Sequence, residues 1–182
     1  MIELKSPVSH EDVKKLRVGD AVKITGVIYT GRDAAHKRLC ELLAEGKSLP
    51  IDVNGASIYY VGPTPAKPGR AIGSAGPTSS YRMDAYTEPL LKEGLKVMIG
   101  KGPRSEEYRE QLKKYGAVYL SAIGGAAALI SESVKECEVV AYEDLGAEAI
   151  HKLSVVDFYA IVTYDSVGGD LFSEGVEKYR KV

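Results

Sequence analysis

The chain has 182 residues, of which 45% are hydrophobic and 27% are charged, as in ordinary globular domains. Lysine and arginine total 24 against 25 for aspartate and glutamate, and no basic face stands out that would favour nucleic-acid binding. No stretch approaches the roughly 18 apolar residues that a membrane span needs. We therefore expect a single soluble domain over residues 1–182, without nucleic-acid or membrane partners.

The N-terminal residues and the cysteines predict where the protein works. Charged residues interrupt residues 1–20 every few positions, so the apolar core of a secretion signal is missing and we expect a cytoplasmic protein. The two cysteines, Cys40 and Cys137, suggest neither a disulfide framework nor a zinc site, and we expect buried thiols.

The first predicted elements are a strand and a helix. Residues 21–29 are apolar and β-branched and predict a strand, and residues 33–43 space their apolar side chains at helical intervals. Two short extended pieces, residues 57–61 and 67–72, flank a turn at residues 62–65 whose prolines prevent regular pairing there.

Helices and strands then alternate up to the C-terminal region. The predicted elements are a helix over 83–91, a strand over 96–99, a helix over 105–115, a strand over 117–122, a helix over 125–131 and a strand over 137–142. His151 is assigned to a late helix, and residues 155–172 predict a strand, a turn at Gly168-Gly169 and a short return. This order predicts an α/β fold with a mixed, mostly parallel sheet and flanking helices.

The loop over residues 73–84 is the most informative segment for function. Its glycines let the backbone approach a ligand closely, and Pro77 directs the chain just before Thr78. Arg82 follows four residues later, and its guanidinium offers a planar fork that matches a carboxylate. The alternative is a tight connection in which Ser79 or Ser80 caps the next helix.

Two further cations follow predicted strands. Lys101 lies between two glycines after the strand over 96–99, and Arg32 follows the strand over 21–29. Open parallel sheets bind ligands at the carboxyl ends of their strands, so Arg32, Arg82 and Lys101 together suit a dicarboxylate. Alternatively, Lys101 is a solvated turn lysine and Arg32 forms a local pair with Asp33 or a neighbouring helix.

Other motifs exclude several kinds of site. The glycines at 69, 73 and 76 match neither a dinucleotide fingerprint nor a phosphate loop, and no serine-hydrolase, zinc-protease or cluster-binding motif occurs. We interpret the small residues from Gly124 to Ala128 as a packing feature. His36 and His151 are interpreted as structural, because no cluster completes a metal site with either.

Seven segments, in order, resemble the β subunit of class I fumarases and of related L-tartrate dehydratases. They cover nearly the whole chain from about residue 20. The matching segments are GRDAAHKRL (31–39), YYVGP (59–63), GSAGPTSSYRMDAY (73–86), MIGKGPRS (98–105), GAVYLSAIGGAAALI (116–130), AYEDLGAEAI (141–150) and VVDFYAIVTYDSVGGDLF (155–172).

This resemblance implies a hydro-lyase that reversibly hydrates fumarate to L-malate and is active only with an α subunit, expected as an α2β2 hetero-oligomer. It also implies a [4Fe-4S] cluster that is bound by the α subunit and not by this chain, which has only two cysteines. The implied fold is a swivelling β/β/α domain that closes over the cluster.

By motif, the resemblance assigns substrate binding to Arg32, Arg82 and Lys101, and the role of catalytic base to Thr78. The general acid is expected from the α subunit. Many fumarases have Thr-Ala-Gly where this chain has Ser79, Ser80 and Tyr81, so L-tartrate or a methylated fumarate is an alternative substrate. A third possibility is a non-catalytic anion-binding or regulatory module.

Overall fold

The computed structural model describes residues 1–122 and 127–180. Within them it has seven strands: β1 (Ile2–Ser6), β2 (Ala21–Thr30), β3 (Ser57–Tyr59), β4 (Val97–Gly100), β5 (Val118–Ser121), β6 (Val134–Ala141) and β7 (Ile150–Tyr164). The helices are α1 (His10–Lys15), α2 (Asp33–Ala44), α3 (Asp84–Lys92), α4 (Glu106–Tyr115), α5 (Ala127–Ser133) and α6 (Leu171–Tyr179), with 3₁₀ segments at Ser80–Met83 and Glu143–Glu148.

The strands form one seven-stranded mixed sheet in the order β1-β2-β3-β4-β5-β7-β6. Neighbours from β1 to β5 pair in parallel, whereas β7 runs antiparallel to β5, β6 and β2. Ile161 on β7 faces both Ala21 of β2 and Ser121 of β5. Strands β2, β3, β4, β5 and β7 therefore pair in a closed circuit, with β1 and β6 alongside.

Alternation along the strands separates two apolar cores. On β4, Val97 and Ile99 belong to one buried cluster, while Met98 between them belongs to the other. Successive strand side chains point to opposite faces, so the second cluster lies on the face covered by helices. It includes Leu39 of α2, Leu90 of α3 and Leu112 of α4. The protein is a mixed α/β fold with helices flanking the sheet, as predicted.

Most of the predicted elements are confirmed with bounds within three residues of those predicted, except that β7 begins at Ile150 and not at Val155. The short extended piece predicted over 67–72 belongs to no strand: a turn lies at Pro68-Gly69, and Pro68 lacks the N–H that a ladder would need. His151 lies in β7 and not in a helix, because it pairs with Val139 of β6 within a strand of 15 residues.

Three more differences concern the ends of the chain and the predicted packing segment. The return after Gly168-Gly169 is a single bridge between Tyr164 and Asp170, followed by α6, whose N-cap is Asp170. β1 and α1 were not predicted. Of the small-residue segment, Gly124, Gly125 and Ala126 lie outside the described residues. Among those that are described, no helix is both long and apolar enough to cross a membrane.

Candidate functional site

The carboxyl ends of β2, β3 and β4 lie side by side at one edge of the sheet. Thr30 pairs with Tyr59, and Tyr59 pairs with Ile99, so the three strands end at nearly the same level. Arg32 follows β2 as the N-cap of α2, and Lys101 follows β4 directly. The parallel register thus brings two sequence-predicted cations to the edge where ligands of such sheets bind.

Thr78 reaches the same edge through its backbone. Its N–H donates to the carbonyl of Tyr60, just beyond β3, over 2.8 Å. Its side-chain hydroxyl oxygen accepts a 2.7 Å hydrogen bond from Nη2 of Arg82. The hydroxyl is therefore held against a guanidinium, which favours an oxyanion over the neutral hydroxyl at this oxygen. Thr78 and Arg82, both chosen as candidates from the sequence, are therefore in direct contact.

Lys101 is joined to the segment that carries Thr78 by a short ladder. Ser79 and Lys101 form a parallel bridge, the Ser80 N–H donates to the Lys101 carbonyl over 3.2 Å, and the Lys101 N–H donates to Ser80 Oγ over 2.9 Å. The Lys101 side chain is exposed, and over residues 1–122 and 127–180 its ammonium forms no ion pair. This cation is therefore available to an anion.

The capping alternative for the two serines is wrong. Neither Ser79 nor Ser80 makes a side-chain cap hydrogen bond, and the N-cap of α3 is Met83. The hydroxyl of Ser80 instead receives the Lys101 amide. Ser80 is buried, so its hydroxyl holds the Lys101 backbone but is not accessible to a ligand. Sequence reasoning missed this role, because both serines fit the N-cap preference equally well.

Each arginine at this edge faces a carboxylate. Nη2 of Arg82 lies 3.5 Å from Oδ2 of Asp33. Nε of Arg32 lies 3.2 Å from Oε1 of Glu148, and these two atoms form an ion pair but no hydrogen bond. All four side chains are about one-third exposed, and pairs of this kind contribute about 0–1 kcal/mol. An incoming carboxylate could therefore displace Asp33 and Glu148.

Arg32 sits at the margin of this arrangement. No described contact joins it to Thr78 or Lys101, and its link to them runs through the adjacent Asp33, which pairs with Arg82. A Cβ at Gly62 would lie 3.4 Å from Arg32 Cδ and 3.1 Å from the Ala147 carbonyl oxygen, so the glycine makes room for the arginine stem. The structure thus brings Thr78, Arg82 and Lys101 together, with Arg32 beside them.

His36 supports the peptide of Arg32, as a structural histidine. Its Nδ1–H donates to the Arg32 carbonyl over 2.8 Å, which leaves Nε2 unprotonated and without a partner within the described part of the chain. Complete burial lowers the pKa of His36 to about 4. The ring is therefore neutral near pH 7, and it holds the backbone at the start of α2.

Within the described part of the chain, neither His151 nor the thiols form a metal site. Nδ1 of His151 lies 3.0 Å from the Ala149 carbonyl and 3.2 Å from Thr30 Oγ1, and burial lowers its pKa. Cys40 on α2 and Cys137 on β6 are only partly buried, contrary to the prediction, and burial raises the pKa of both thiols. The described residues contain no group of three or more His, Cys, Asp or Glu that could hold a metal ion. Among these residues, no set of side chains therefore fits an iron–sulfur cluster.

Comparison with known proteins agrees with the resemblance carried by the motifs. The family model described as the fumarase C-terminus matches residues 1–175. The chain belongs to this fumarase C-terminal family. The match includes the loop that carries Thr78 and Arg82 and the turn that carries Lys101.

The chain covers different shares of the length of its relatives. It is 39% identical over 181 residues to the anaerobic class I fumarate hydratase of Escherichia coli K12, covering 97% of this chain and 33% of that protein. Fumarate hydratase 2 of Leishmania major is 35% identical, with 95% and 31% covered. A Methanocaldococcus jannaschii protein assigned as an L(+)-tartrate dehydratase subunit beta is 40% identical, with 96% and 93% covered. The chain thus spans about a third of the fumarate hydratases and nearly all of the separate subunit.

Proposed function

We propose that this protein is the substrate-clamping β subunit of a hydro-lyase that reversibly hydrates fumarate to L-malate. The observation that carries the proposal is the Thr78–Arg82 hydrogen bond of 2.7 Å, with Lys101 joined to the same segment by the ladder through Ser79 and Ser80. A hydroxyl bound to a guanidinium at the carboxyl edge of parallel strands, with a lysine on the adjoining loop, suits a reaction beside a substrate carboxylate.

The cations would hold the two carboxylates of the substrate. Arg82 can present a planar pair of N–H donors to one carboxylate, and the exposed Lys101 ammonium can approach the same group or the other. Arg32 would take the remaining carboxylate by exchanging Glu148 for substrate, just as Arg82 would exchange Asp33. Substrate then replaces two protein carboxylates, so the charge of the site remains balanced.

We assign the catalytic base to Thr78. In the dehydration direction, Thr78 Oγ1 as the alkoxide would take the proton from the carbon beside a substrate carboxylate, while the hydroxyl group on the neighbouring carbon leaves. A threonine hydroxyl is a weak acid, so the alkoxide needs the guanidinium 2.7 Å away and a site closed to water. The acid that protonates the departing hydroxyl would come from the partner.

The proposed partner is an α subunit that carries the [4Fe-4S] cluster, in an α2β2 assembly. The relative that supports this proposal is the protein assigned as an L(+)-tartrate dehydratase subunit beta, which the chain matches over 93% of its length. We also assign the fold to the swivelling β/β/α class, supported by the closed circuit of strands with α2, α3 and α4 on one side. Closure onto the α subunit would exclude water from Thr78.

L-tartrate or a methylated fumarate is the second candidate substrate. The support is the 40% identity to the assigned dehydratase β subunit and the position of Tyr81, which is 64% exposed and adjoins Arg82. A tyrosine there would form part of the pocket wall once the partner has docked, and it would change the space next to the substrate. Fumarate remains the first candidate, because several of the relatives are fumarate hydratases.

The proposal can be tested by reconstitution. The chain is co-purified with its α subunit, and the cluster is rebuilt without oxygen. Turnover of fumarate is followed by the loss of its absorbance, and turnover of methylated fumarate and of L-tartrate is measured for comparison. We expect Thr78→Ala to lower kcat by about 10²–10⁴-fold. Thr64→Ala is the matched control, since Thr64 is an exposed threonine of the preceding turn whose hydroxyl accepts the Ser74 amide at 2.7 Å.

Each outcome decides between the candidates. Turnover of L-tartrate or methylated fumarate without turnover of fumarate would establish the second substrate. A chain that binds fumarate but associates with no α subunit would be the non-catalytic anion-binding module. Equal activity of Thr78→Ala and Thr64→Ala would remove Thr78 from the role of base.

A further inference from the structure

Arg104 is a buried cation close to the candidate site. Its side chain is 0% exposed, although arginine is rarely buried completely without partners. It follows Lys101 by three residues in the loop between β4 and α4, and its backbone N–H donates to the Tyr164 hydroxyl over 3.1 Å. The alternative is that Arg104 serves only to pack the core, and its contacts decide between this and a role in the site.

Three tyrosine rings surround the guanidinium. The central carbon of Arg104 lies 3.5 Å from the ring centroid of Tyr108, 4.9 Å from that of Tyr119 and 5.2 Å from that of Tyr60. Nη1 and Nη2 have no hydrogen-bond acceptor in the described part of the chain, so the ring faces provide the main compensation for their burial. Burial alone would lower the pKa of Arg104, but Tyr108, Tyr60 and Asp84 more than offset it, and the pKa is raised.

The remaining nitrogen joins two segments of the site. Nε of Arg104 binds Oδ1 of Asp84, while Oδ2 of Asp84 accepts the Ser105 amide over 2.9 Å. Asp84 begins α3 two residues after Arg82, and Arg104 lies in the loop that begins with Lys101. One carboxylate therefore binds the Lys101 loop at two points and connects it to the segment that carries Arg82.

A second connection joins the same two segments at Lys101 itself. The Ser80–Lys101 hydrogen bonds of 3.2 and 2.9 Å join them where the ligand-binding side chains emerge. The hydroxyl of Tyr119 also donates to the Gly102 carbonyl over 3.1 Å, which ties the loop to β5. One attachment is thus at the backbone of Lys101 and the other at Arg104 and Ser105, farther along the same loop, and both connect it to the segment that carries Arg82.

Stability does not account for a buried ion pair in this place. Two charges taken out of water lose hydration, and apolar residues of similar volume often stabilise a fold as well or better. What the pair adds is direction, because a guanidinium stacked on Tyr108 and bound to Asp84 through Nε has little rotational freedom. Such rigidity matters where reacting groups must be aligned.

We propose that the Arg104–Asp84 pair is a positioning element that holds Lys101 at the correct distance from Thr78 and Arg82. Arg104 touches no substrate in this arrangement, and it acts through Asp84 and the Lys101 loop. The inference rests on the proposed function, since it states how the clamp of that site is kept aligned.

The test compares Arg104→Lys and Asp84→Asn with a matched control, Arg109→Lys. Arg109 lies on α4, its Nη1 binds Oδ2 of Asp170 at 2.7 Å, and its guanidinium lies over the Tyr164 ring, so the control makes the same arginine-to-lysine change at a more exposed ion pair that does not include Asp84. The reconstituted complexes are assayed for kcat and KM. The full-length chain alone is examined by amide hydrogen exchange at Lys101 and by NMR titration with succinate, an unreactive dicarboxylate.

We expect both site variants to fold, to lower kcat by about a hundredfold and to weaken succinate binding. They should also expose the Lys101 amide to exchange, whereas Arg109→Lys changes none of these quantities. Asp84→Asn keeps the shape of the side chain, so it decides the matter if Arg104→Lys does not fold. A Lys101 amide that stays as protected as in the wild type, or a kcat equal to that of Arg109→Lys, overturns the inference.

The same experiment separates the two proposals. If the wild-type complex hydrates no fumarate but succinate binds and both variants weaken it, the proposed function fails and the positioning role stands. If the wild type hydrates fumarate and the variants match the control, the positioning role fails alone. Without turnover or succinate binding in the wild type, exchange at the Lys101 amide decides: unchanged protection in the variants refutes the role, and lost protection supports it.

Discussion

Acidification should destabilise this protein through His36. The ring is completely buried, and its pKa falls from the ordinary 6.5 to about 4, chiefly because burial disfavours the charged form, with the nearby Arg104 cation adding to the shift. The hydrogen bond to the Arg32 carbonyl and the charge of Asp33 oppose this shift without cancelling it. The folded protein therefore keeps His36 neutral where the unfolded chain already binds a proton.

The magnitude follows from the two pKa values. A difference of about 2.5 between them corresponds to about 3 kcal/mol of unfolding free energy. Above pH 6.5 neither state binds the proton, so this contribution to stability is complete. As the pH falls from about 6.5 to about 4, the unfolded state binds more protons than the folded one, and the contribution is lost.

The assay is urea unfolding of the wild type and His36→Asn at several pH values between 7 and 4. The asparagine amide can still donate to the Arg32 carbonyl but cannot titrate, and other acid-sensitive groups such as His151 remain in both proteins. The stability advantage of the wild type should shrink by about 3 kcal/mol between pH 7 and pH 4. A constant difference across this range would refute the assignment of a neutral, buried His36.

Three substitutions test the site and the surface. Gly100→Ala should lower the free energy of unfolding by about 1–3 kcal/mol, because a Cβ there would collide with Ser80 Oγ and lie 2.9 Å from a Tyr60 ring carbon. Urea unfolding identical to that of the wild type would contradict this packing. Gly175→Ala in α6 meets no atom within 4 Å and should raise stability by about 1 kcal/mol through helix propensity, and a lower melting temperature would count against the α6 assignment. Lys101→Ala should leave thermal unfolding unchanged, since the Lys101 ammonium is exposed and forms no ion pair in the described chain. The same variant should raise KM for the dicarboxylate. An unchanged KM would exclude Lys101 from the clamp.

Local sequence patterns predicted the helices and strands in which buried side chains recur at regular intervals along the chain. The apolar run of β2, the helical spacing of α2 and the capped start of α4 at Ser105 each contain their own signal. The candidate cations could be found for the same reason, since Arg32 and Lys101 stand immediately after such strands. The motif order also identified the family, which the match over residues 1–175 confirms.

The tertiary structure decided which of the ambiguous segments became regular. Residues 67–72 looked extended but form no strand, whereas His151 joined a 15-residue strand because β2 and β6 both supply partners for that stretch of β7. The partners on β2 lie more than a hundred positions away, as in the hydrogen bond from the His151 N–H to Thr30 Oγ1 over a separation of 121 residues, so a local window cannot detect them.

The partners of the clamp likewise emerged only from the fold. From its sequence, the chain determines that Thr78 and Arg82 lie close together and that cations follow the ends of parallel strands. Only the folded chain shows Arg82 facing Asp33, Arg32 facing Glu148 and Arg104 buried against Asp84. Such pairs arise where separate loops converge at one edge of the sheet, and the distance between loops depends on strand register and not on sequence spacing.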